Sequence, residues 1–97
     1  NGDVKVVNWD EIGDRFVLDV REPGEYARGH IPGAVNIPLG QLRDRLGELP
    51  RDKEIVVHCR VGMRSYIAVR ILMQRGFKSV FNLNGGYRTY SAVMADK

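Results

Sequence analysis

The one cysteine of this chain, Cys59, lies in the segment HCRVGMRS at residues 58–65, together with two arginines, a glycine and a serine. An apolar run precedes it and a helical pattern follows, which predicts a thiol placed where a buried strand gives way to a helix. At a helix N-terminus, the helix dipole and nearby guanidinium groups stabilise a thiolate. The segment therefore predicts that Cys59 is a nucleophile at neutral pH.

The neighbours of Cys59 favour this interpretation over an inert core cysteine, because charged residues are not expected beside a buried, unreactive thiol. Gly62 lets the backbone turn tightly, so that successive N–H groups converge on one point. Arg64 stands where the loop returns to the helix, and Ser65 is expected to support the thiolate or to cap the helix. His58 should point to the opposite face of its strand, where packing or hydrogen bonding is expected rather than base catalysis.

The elements that must position this loop alternate along the chain. Five short apolar runs predict strands, at residues 4–7, 16–20, 34–38, 54–59 and 79–83. Helical patterns separate or follow them, at residues 9–14, 23–29, 42–49, 63–75 and 87–95. In the longest pattern, the apolar stripe is predicted to comprise Ile67, Ala68, Ile71 and Leu72, with Gly76 ending the helix. Strand–helix alternation with short connections indicates an α/β sandwich whose sheet is largely parallel.

Charge and composition narrow the classes of function. The formal net charge is +3 with an isoelectric point near 9.3, and the arginines are spread along the chain. This pattern favours small anionic ligands, and it argues against nucleic acid because no basic block or reader motif is present. No apolar run approaches the ~20 residues of a membrane span, so no membrane partner is expected. No G-x-G-x-x-G motif follows a strand, so no FAD or NADH cofactor is expected in this chain.

The cysteine count and the length set further limits. A single cysteine excludes an intrachain disulfide, which favours a reducing compartment and predicts a cytoplasmic protein. With only two histidines besides, no structural zinc or other metal site is expected. The length fits one domain at residues 1–97, and because the first residue is Asn1, we expect a domain taken from a longer protein.

Three stretches of the sequence resemble the signatures of rhodanese (sulfurtransferase) domains, in the family's order. They are LDVREPGEYARGHIPGAVNIP at 18–38, VVHCRVGMRS at 56–65 and NLNGGYRTY at 82–90. The segment CRVGMRSYIAVRIL, taken with the third stretch, is similar to the C-terminal rhodanese module of flavin-dependent coenzyme A-disulfide reductases. The resemblance implies a three-layer α/β sandwich with a central five-stranded parallel sheet flanked by helices.

The resemblance also implies a reaction, in which the loop cysteine takes up a sulfane sulfur as a persulfide and then passes it on. Cys59 is then the sulfur carrier. The substrate-binding cradle comprises Arg60, Val61, Gly62, Met63 and Arg64, whose two guanidinium groups would orient an anionic donor. Thiosulfate, polysulfide or a persulfide is the expected donor, and a thiol or cyanide is the expected acceptor.

The closer similarity implies partners beyond these small molecules. Coenzyme A persulfide becomes a candidate substrate. A fused or separate flavoprotein disulfide reductase becomes a candidate partner, and FAD and NADH would belong to that reductase rather than to this domain.

Residues of the first signature are expected to support the loop. Asp19 and Arg21 leave the second strand beside the site, and the resemblance implies that they hold the loop architecture rather than take part in chemistry. Glu25 is expected to pair with Arg21 or Arg28 as a weak exposed ion pair.

The remaining signature residues are also expected to be structural. Gly85 and Gly86 are expected to permit a backbone turn beside the active loop, and Tyr87 to form a wall of the pocket. His30 is expected to be a hydrogen-bonded turn residue rather than an acid or base.

Two other functions compete with sulfur transfer. Phosphatases of the same architecture use C-x₅-R to surround phosphate, whereas Cys59 and Arg64 are separated by only four residues. A loop with one residue fewer has fewer N–H groups and less room, which suits a single sulfur atom better than a phosphate group. The second competitor is a catalytically silent binding or regulatory module. Such modules usually lack the cysteine, which this chain keeps.

Overall fold

The computed structural model describes residues 4–95, so residues 1–3 and 96–97 of the predicted domain lie outside it. The strands are β1 (Lys5–Val7), β2 (Phe16–Asp19), β3 (Val35–Asn36), β4 (Ile55–His58) and β5 (Val80–Leu83). The α-helices are α1 (Pro23–Arg28), α2 (Met63–Gln74) and α3 (Gly86–Ala95). No helix within residues 4–95 is both long enough and apolar enough to cross a membrane.

All five strands form one sheet in the order β1-β5-β4-β2-β3, and every neighbouring pair is parallel. The parallel five-stranded sheet implied by the family resemblance is therefore confirmed. β4 is the central strand and all four of its residues are buried, as its continuous apolar run predicts for a strand covered on both faces. Because the carboxyl ends of parallel strands meet at one edge, the segments that follow β2, β4 and β5 lie side by side.

The two faces of the sheet carry separate cores. Ile55 and Val57 of β4, and Cys59 directly after the strand, belong to the core beneath α2, whereas Val56 belongs to the core on the other face. His58 lies on the second face, with its ring centroid 6.1 Å from that of Tyr87 of α3. The predicted orientation of His58, opposite to Cys59, is confirmed.

The buried face of α2 differs from the predicted stripe. The residues that the helix buries are Ser65, Ala68, Val69, Ile71 and Leu72. Ile67 is 43% exposed, so its place in the stripe was wrong. Ile67 and Leu72 are five residues apart, which places them about 140° apart around an α-helix, too far to share one face.

The helical segments predicted at residues 9–14 and 42–49 form only 3₁₀ turns. The structure has three such turns in these regions, at Trp9–Glu11, Leu39–Asp44 and Leu46–Glu48. Gly47 lies inside the region predicted at residues 42–49 and Pro50 follows it, and both residues disfavour a continuous α-helix. The longer of these turns packs against α2 through the buried Leu42.

The N-terminus of α3 is bonded to the loop that follows β4. The N–H of Tyr87 donates to the carbonyl of Cys59 at 2.8 Å, and the N–H of Arg88 donates to the carbonyl of Arg60 at 2.9 Å. Gly86 makes this approach possible because it has a φ of 59°, and a Cβ there would lie 2.6 Å from the Arg60 carbonyl oxygen. The predicted turn at Gly85 and Gly86 is therefore a close backbone contact that fixes the cysteine loop.

We predict that Gly86→Ala lowers the free energy of unfolding by about 1–3 kcal/mol, because the added methyl overpacks the loop and the backbone is held in a left-handed conformation. Urea unfolding followed by circular dichroism measures this loss. The control is Gly24→Ala in α1, where a Cβ meets no atom within 4 Å and φ is not positive. Equal stability of Gly86→Ala and wild type would show that the loop does not need this approach.

Candidate active site

The sulfur of Cys59 is enclosed by the loop that joins β4 to α2. Cys59 is 1% exposed, and its Sγ accepts a hydrogen bond from the N–H of Gly62 at 3.1 Å. Sγ also lies 3.5 Å from Oγ of Ser65, in the first turn of α2. Gly62 has a φ of 125°, a conformation that favours glycine, and it directs the chain back over the sulfur before α2 begins. Gly62 thus supplies one of the loop amides that the sequence predicts to face Cys59.

Two opposing effects set the pKa of the Cys59 thiol. Burial raises the pKa, whereas the Ser65 hydroxyl and the N–H groups of Ser65, Gly62 and Val61 lower it by hydrogen bonding to the sulfur. The hydrogen bonds prevail, so the pKa lies below the ordinary value for cysteine. Donors that stabilise an anionic sulfur make Cys59 a stronger candidate nucleophile than a cysteine buried in an apolar site.

A polar contact beneath the sulfur was not predicted from the sequence. The Ser65 hydroxyl lies 2.6 Å from Oδ1 of Asn82 in β5, to which it donates. Because serine has one hydroxyl proton, Ser65 must turn away from Asn82 when it donates to a Cys59 thiolate. Asn82 is the polar residue of an otherwise apolar strand and pairs in register with Val57, whose side chain faces α2. That combination could have identified it.

The guanidinium of Arg64 does not lie free beside the sulfur. It donates two hydrogen bonds to the carboxylate of Glu25 in α1, at 2.8 and 3.1 Å. The prediction that Glu25 pairs with Arg21 or Arg28 was therefore wrong. Arg21 instead forms an ion pair with Asp19. The fold brings α1 beside the first turn of α2, and this proximity cannot be read from local sequence spacing.

The Arg64–Glu25 pair shifts the pKa of both groups. The hydrogen bond from Arg64 is the largest influence on Glu25 and lowers its pKa from 4.5 to about 2. The bond to Glu25 likewise raises the pKa of Arg64, and the nearby Cys59 adds a smaller increase. Arg64 thus contributes positive charge near the thiolate while its hydrogen-bond donors are turned toward α1.

Asp19 and Arg21 form a buried ion pair at the carboxyl end of β2. Asp19 is 0% and Arg21 is 4% exposed, and Nη2 of Arg21 lies 2.7 Å from Oδ2 of Asp19. The same guanidinium donates to the carbonyl of Gly29 and stacks over the ring of Tyr87 at 4.3 Å. Breaking a buried pair of this kind would leave an uncompensated charge. Because Arg21 also contacts Gly29 and Tyr87, the pair holds the loop after β2 against α3.

The two histidines make structural contacts. His58 is buried with its Nε2 3.7 Å from Oδ2 of Asp19, and burial lowers its pKa against the opposing attraction of that carboxylate. Nδ1 of His30 lies 2.9 Å from the carbonyl oxygen of Tyr26, and the two rings stack with their centroids 3.7 Å apart. Neither is shown in contact with the sulfur.

The other side chains of the predicted cradle point outward. Val61 is 54% exposed and Met63 is 71% exposed, so they border the loop rather than enclose the sulfur. Arg60 is exposed and lines a cleft with Arg21 and Tyr87. Within the predicted set, the groups gathered at the sulfur are thus Gly62, Ser65 and the backbone of residue 61.

These features define a class of protein: an α/β domain of rhodanese fold, with a loop cysteine between its central parallel strand and the following helix. The family model described as the rhodanese-like domain matches residues 5–93, so this chain belongs to that family.

Individual relatives agree with this assignment. A protein named sulfurtransferase from Allochromatium vinosum is 44% identical over 73 residues, which cover 75% of this chain and 68% of that protein. The solved structure of reduced Bacillus anthracis CoADR-RHD superposes with a TM-score of 0.89 at 46% identity. It matches 96% of this chain but only 17% of its own length. The predicted similarity to the rhodanese module of coenzyme A-disulfide reductases is confirmed.

A second large protein contains a similar domain. The structure of an NAD-dependent persulfide reductase from A. fulgidus superposes with a TM-score of 0.79 at 44% identity, over 90% of this chain and 16% of that one. The chain thus corresponds to a small part of both reductases.

We predict that Arg64→Gln raises the pKa of Glu25 from about 2 toward 4.5, because the hydrogen bond that holds the carboxylate ionised is lost. The pair stabilises the fold above pH 4.5, and this contribution disappears as the pH falls through about 2. A ¹³C NMR titration of the Glu25 carboxyl carbon measures the change. Arg28→Gln is the control, and a Glu25 pKa that moved in the control but not in Arg64→Gln would contradict the pairing.

Proposed function

We propose that this chain is a sulfurtransferase that carries one sulfane sulfur as a persulfide of Cys59. The observation that carries the proposal is the set of hydrogen-bond donors around its buried sulfur, which lowers the pKa of the thiol despite burial. The same donors would stabilise the terminal anionic sulfur of a persulfide, as an oxyanion hole stabilises an oxyanion. The family and the relatives named sulfurtransferase support this assignment.

In the first step the Cys59 thiolate attacks the sulfane sulfur of an anionic donor. With thiosulfate, a new S–S bond forms to Cys59 while the S–S bond of the donor breaks. Its electron pair leaves with sulfite, and the enzyme holds Cys–S–S⁻ without any net change in charge. Polysulfide or a small persulfide would donate in the same way, with a shorter polysulfide or a thiolate as the leaving group.

In the second step a thiolate or cyanide attacks the terminal sulfur. The bond between the two sulfurs of the persulfide breaks, and its electron pair returns to Cys59 as the thiolate. The acceptor leaves as a persulfide or as thiocyanate. Because Cys59 is only 1% exposed, the reacting end of donor and acceptor must be narrow. That restriction favours transfer of a single sulfur atom over attack on a bulky phosphate ester.

We extend the proposal to a partner. The relatives CoADR-RHD and the NAD-dependent persulfide reductase each contain a domain like this one within a much longer chain. We infer that this domain exchanges persulfide sulfur with a flavoprotein disulfide reductase, fused or separate, and that coenzyme A persulfide is a substrate. A full-length gene without a flavoprotein region would remove the fused form of this idea.

The proposal is tested by intact mass after incubation with thiosulfate, polysulfide or a small persulfide. We expect a gain of about 32 Da, one sulfur atom added to the thiol, which disappears on addition of cyanide. Cys59→Ser should show no gain while retaining the circular dichroism spectrum of the folded wild type.

Two other results would each replace the proposal. Absence of any mass gain with all three donors would assign a catalytically silent module. Hydrolysis of p-nitrophenyl phosphate that depends on Cys59, without sulfur loading, would assign a phosphatase.

A further inference from the structure

The hydroxyl of Ser65 carries one proton and lies within reach of more than one acceptor. Its Oγ is 2.6 Å from Oδ1 of Asn82, 3.2 Å from the carbonyl oxygen of Gly62 and 3.5 Å from Sγ of Cys59. Ser65 is 0% exposed, so its hydroxyl depends on these protein partners for hydrogen bonding. Because a hydroxyl has a single proton to donate, the contacts compete with one another.

Asn82 makes the shortest of these contacts. A separation of 2.6 Å lies within the range of about 2.5–3.0 Å that is usual for O–H···O hydrogen bonds. Nδ2 of the same amide faces the carbonyl oxygen of Gly62 at 3.5 Å. Reversing the amide would direct two oxygens at each other, so the Gly62 carbonyl favours the orientation in which Oδ1 faces Ser65. Asn82 is therefore oriented as an acceptor for the Ser65 hydroxyl.

The charge on the Cys59 sulfur decides which acceptor receives the proton. In the thiol, the S–H of Cys59 donates to Oγ of Ser65, and the Ser65 hydroxyl donates to Asn82. In the thiolate, Sγ is anionic and attracts the hydroxyl proton, because a charged acceptor forms the stronger hydrogen bond. In a persulfide the negative charge lies on the terminal sulfur, so Sγ is again a weak acceptor and the hydroxyl returns to Asn82.

We propose that Asn82 is a positioning residue that withdraws the Ser65 hydroxyl from Cys59 when the cysteine is protonated or carries sulfur. This inference rests on the proposed sulfurtransferase function and adds a residue to its site. Asn82 acts through Ser65 rather than on the reacting sulfur. Its amide oxygen stabilises the thiol and the persulfide relative to the free thiolate, so it favours the form that holds sulfur.

This exchange of hydrogen bonds affects the two steps of the proposed reaction in opposite directions. In loading from thiosulfate, the S–S bond to Sγ forms, sulfite leaves with the electron pair of the broken bond, and the Ser65 hydroxyl moves from Sγ to Asn82. In unloading, the electron pair of the persulfide bond returns to Sγ and the hydroxyl moves back. A more basic thiolate is a better nucleophile and a poorer leaving group. Asn82 is therefore expected to promote loading and to slow release.

The first arm of the test measures the pKa of the Cys59 thiol from the pH dependence of its alkylation by iodoacetamide. Asn82→Leu removes the competing acceptor, and an apolar side chain suits this position because Val61 and Tyr66 line the same cleft. We expect the pKa to fall by about 0.5–1, since the thiol loses a hydrogen bond that the thiolate does not use. Asn82→Asp keeps the oxygen acceptor and adds negative charge, so it should raise the pKa.

Matched variants separate this role from a merely structural one. Asn84→Leu makes the same change two residues further along, where the amide donates to Oδ1 of Asn8 at 3.0 Å, and it should leave the pKa unchanged. Asn82→Leu should also have no effect in a Ser65→Ala background, which lacks the hydroxyl. If circular dichroism shows that Asn82→Leu does not fold, Asn82→Val replaces it, because valine suits a strand.

The second arm measures the balance between thiolate and persulfide. Each protein is equilibrated with thiosulfate and sulfite at a fixed ratio, at a pH above the thiol pKa found in the first arm. Intact mass then gives the fraction that carries about 32 Da of added sulfur. We expect the ratio of loaded to free protein to fall about 3- to 10-fold in Asn82→Leu, the effect of one hydrogen bond, and to be unchanged in Asn84→Leu.

The outcomes distinguish this inference from the proposed function. Failure of wild type to load from thiosulfate, polysulfide or a small persulfide overturns the proposed function. Normal loading of wild type, combined with an unchanged or raised thiol pKa in Asn82→Leu, overturns the positioning role alone. An effect of Asn82→Leu that persists in the Ser65→Ala background, or that Asn84→Leu reproduces, would overturn that role as well.

Discussion

The structure depends on a balance at one sulfur atom. Burying Cys59 beneath α2 disfavours its thiolate, and the hydrogen bonds from Ser65, Gly62 and residue 61 more than offset that cost. Both effects arise from the same geometry, since the loop that excludes water also turns its N–H groups inward. The glycine conformation at residue 62 and the start of α2 at Met63 make this turn possible.

The rest of the fold holds that loop from both faces of the sheet. On the α2 face, Oδ1 of Asn82 in β5 accepts a hydrogen bond from the hydroxyl of Ser65, which ties the first turn of the helix to the sheet. On the other face, the N-terminus of α3 bonds the carbonyls of Cys59 and Arg60, and the buried Asp19–Arg21 pair braces the adjacent loop. The sulfur and the cleft that Arg60 lines with Arg21 and Tyr87 thus lie on opposite sides of one short stretch of backbone.

Much of this arrangement could be predicted from particular residues. Apolar runs and their alternation with helical patterns indicated the parallel sheet, and the lone cysteine after the central run marked the site. The partner of Glu25 could not be found in the same way, because it depends on how α1 and α2 meet across 39 residues of sequence. Arg64 was expected to face an anionic sulfur donor, yet its N–H groups form hydrogen bonds to the carboxylate of Glu25. The cleft that Arg60 lines was equally hard to predict, since its arginines come from the segment after β2, from α1, from the cysteine loop and from α3.

The most direct test of the central claim is the pKa of the Cys59 thiol, taken from the pH dependence of its alkylation by iodoacetamide. The hydrogen-bond account predicts a value below that of free cysteine in wild type. It predicts a higher value in Ser65→Ala, which lacks the hydroxyl donor, and an unchanged value in Ser79→Ala at the far end of β5. A wild-type thiol that ionises no more readily than free cysteine, or one unaffected by loss of the Ser65 hydroxyl, would contradict the account.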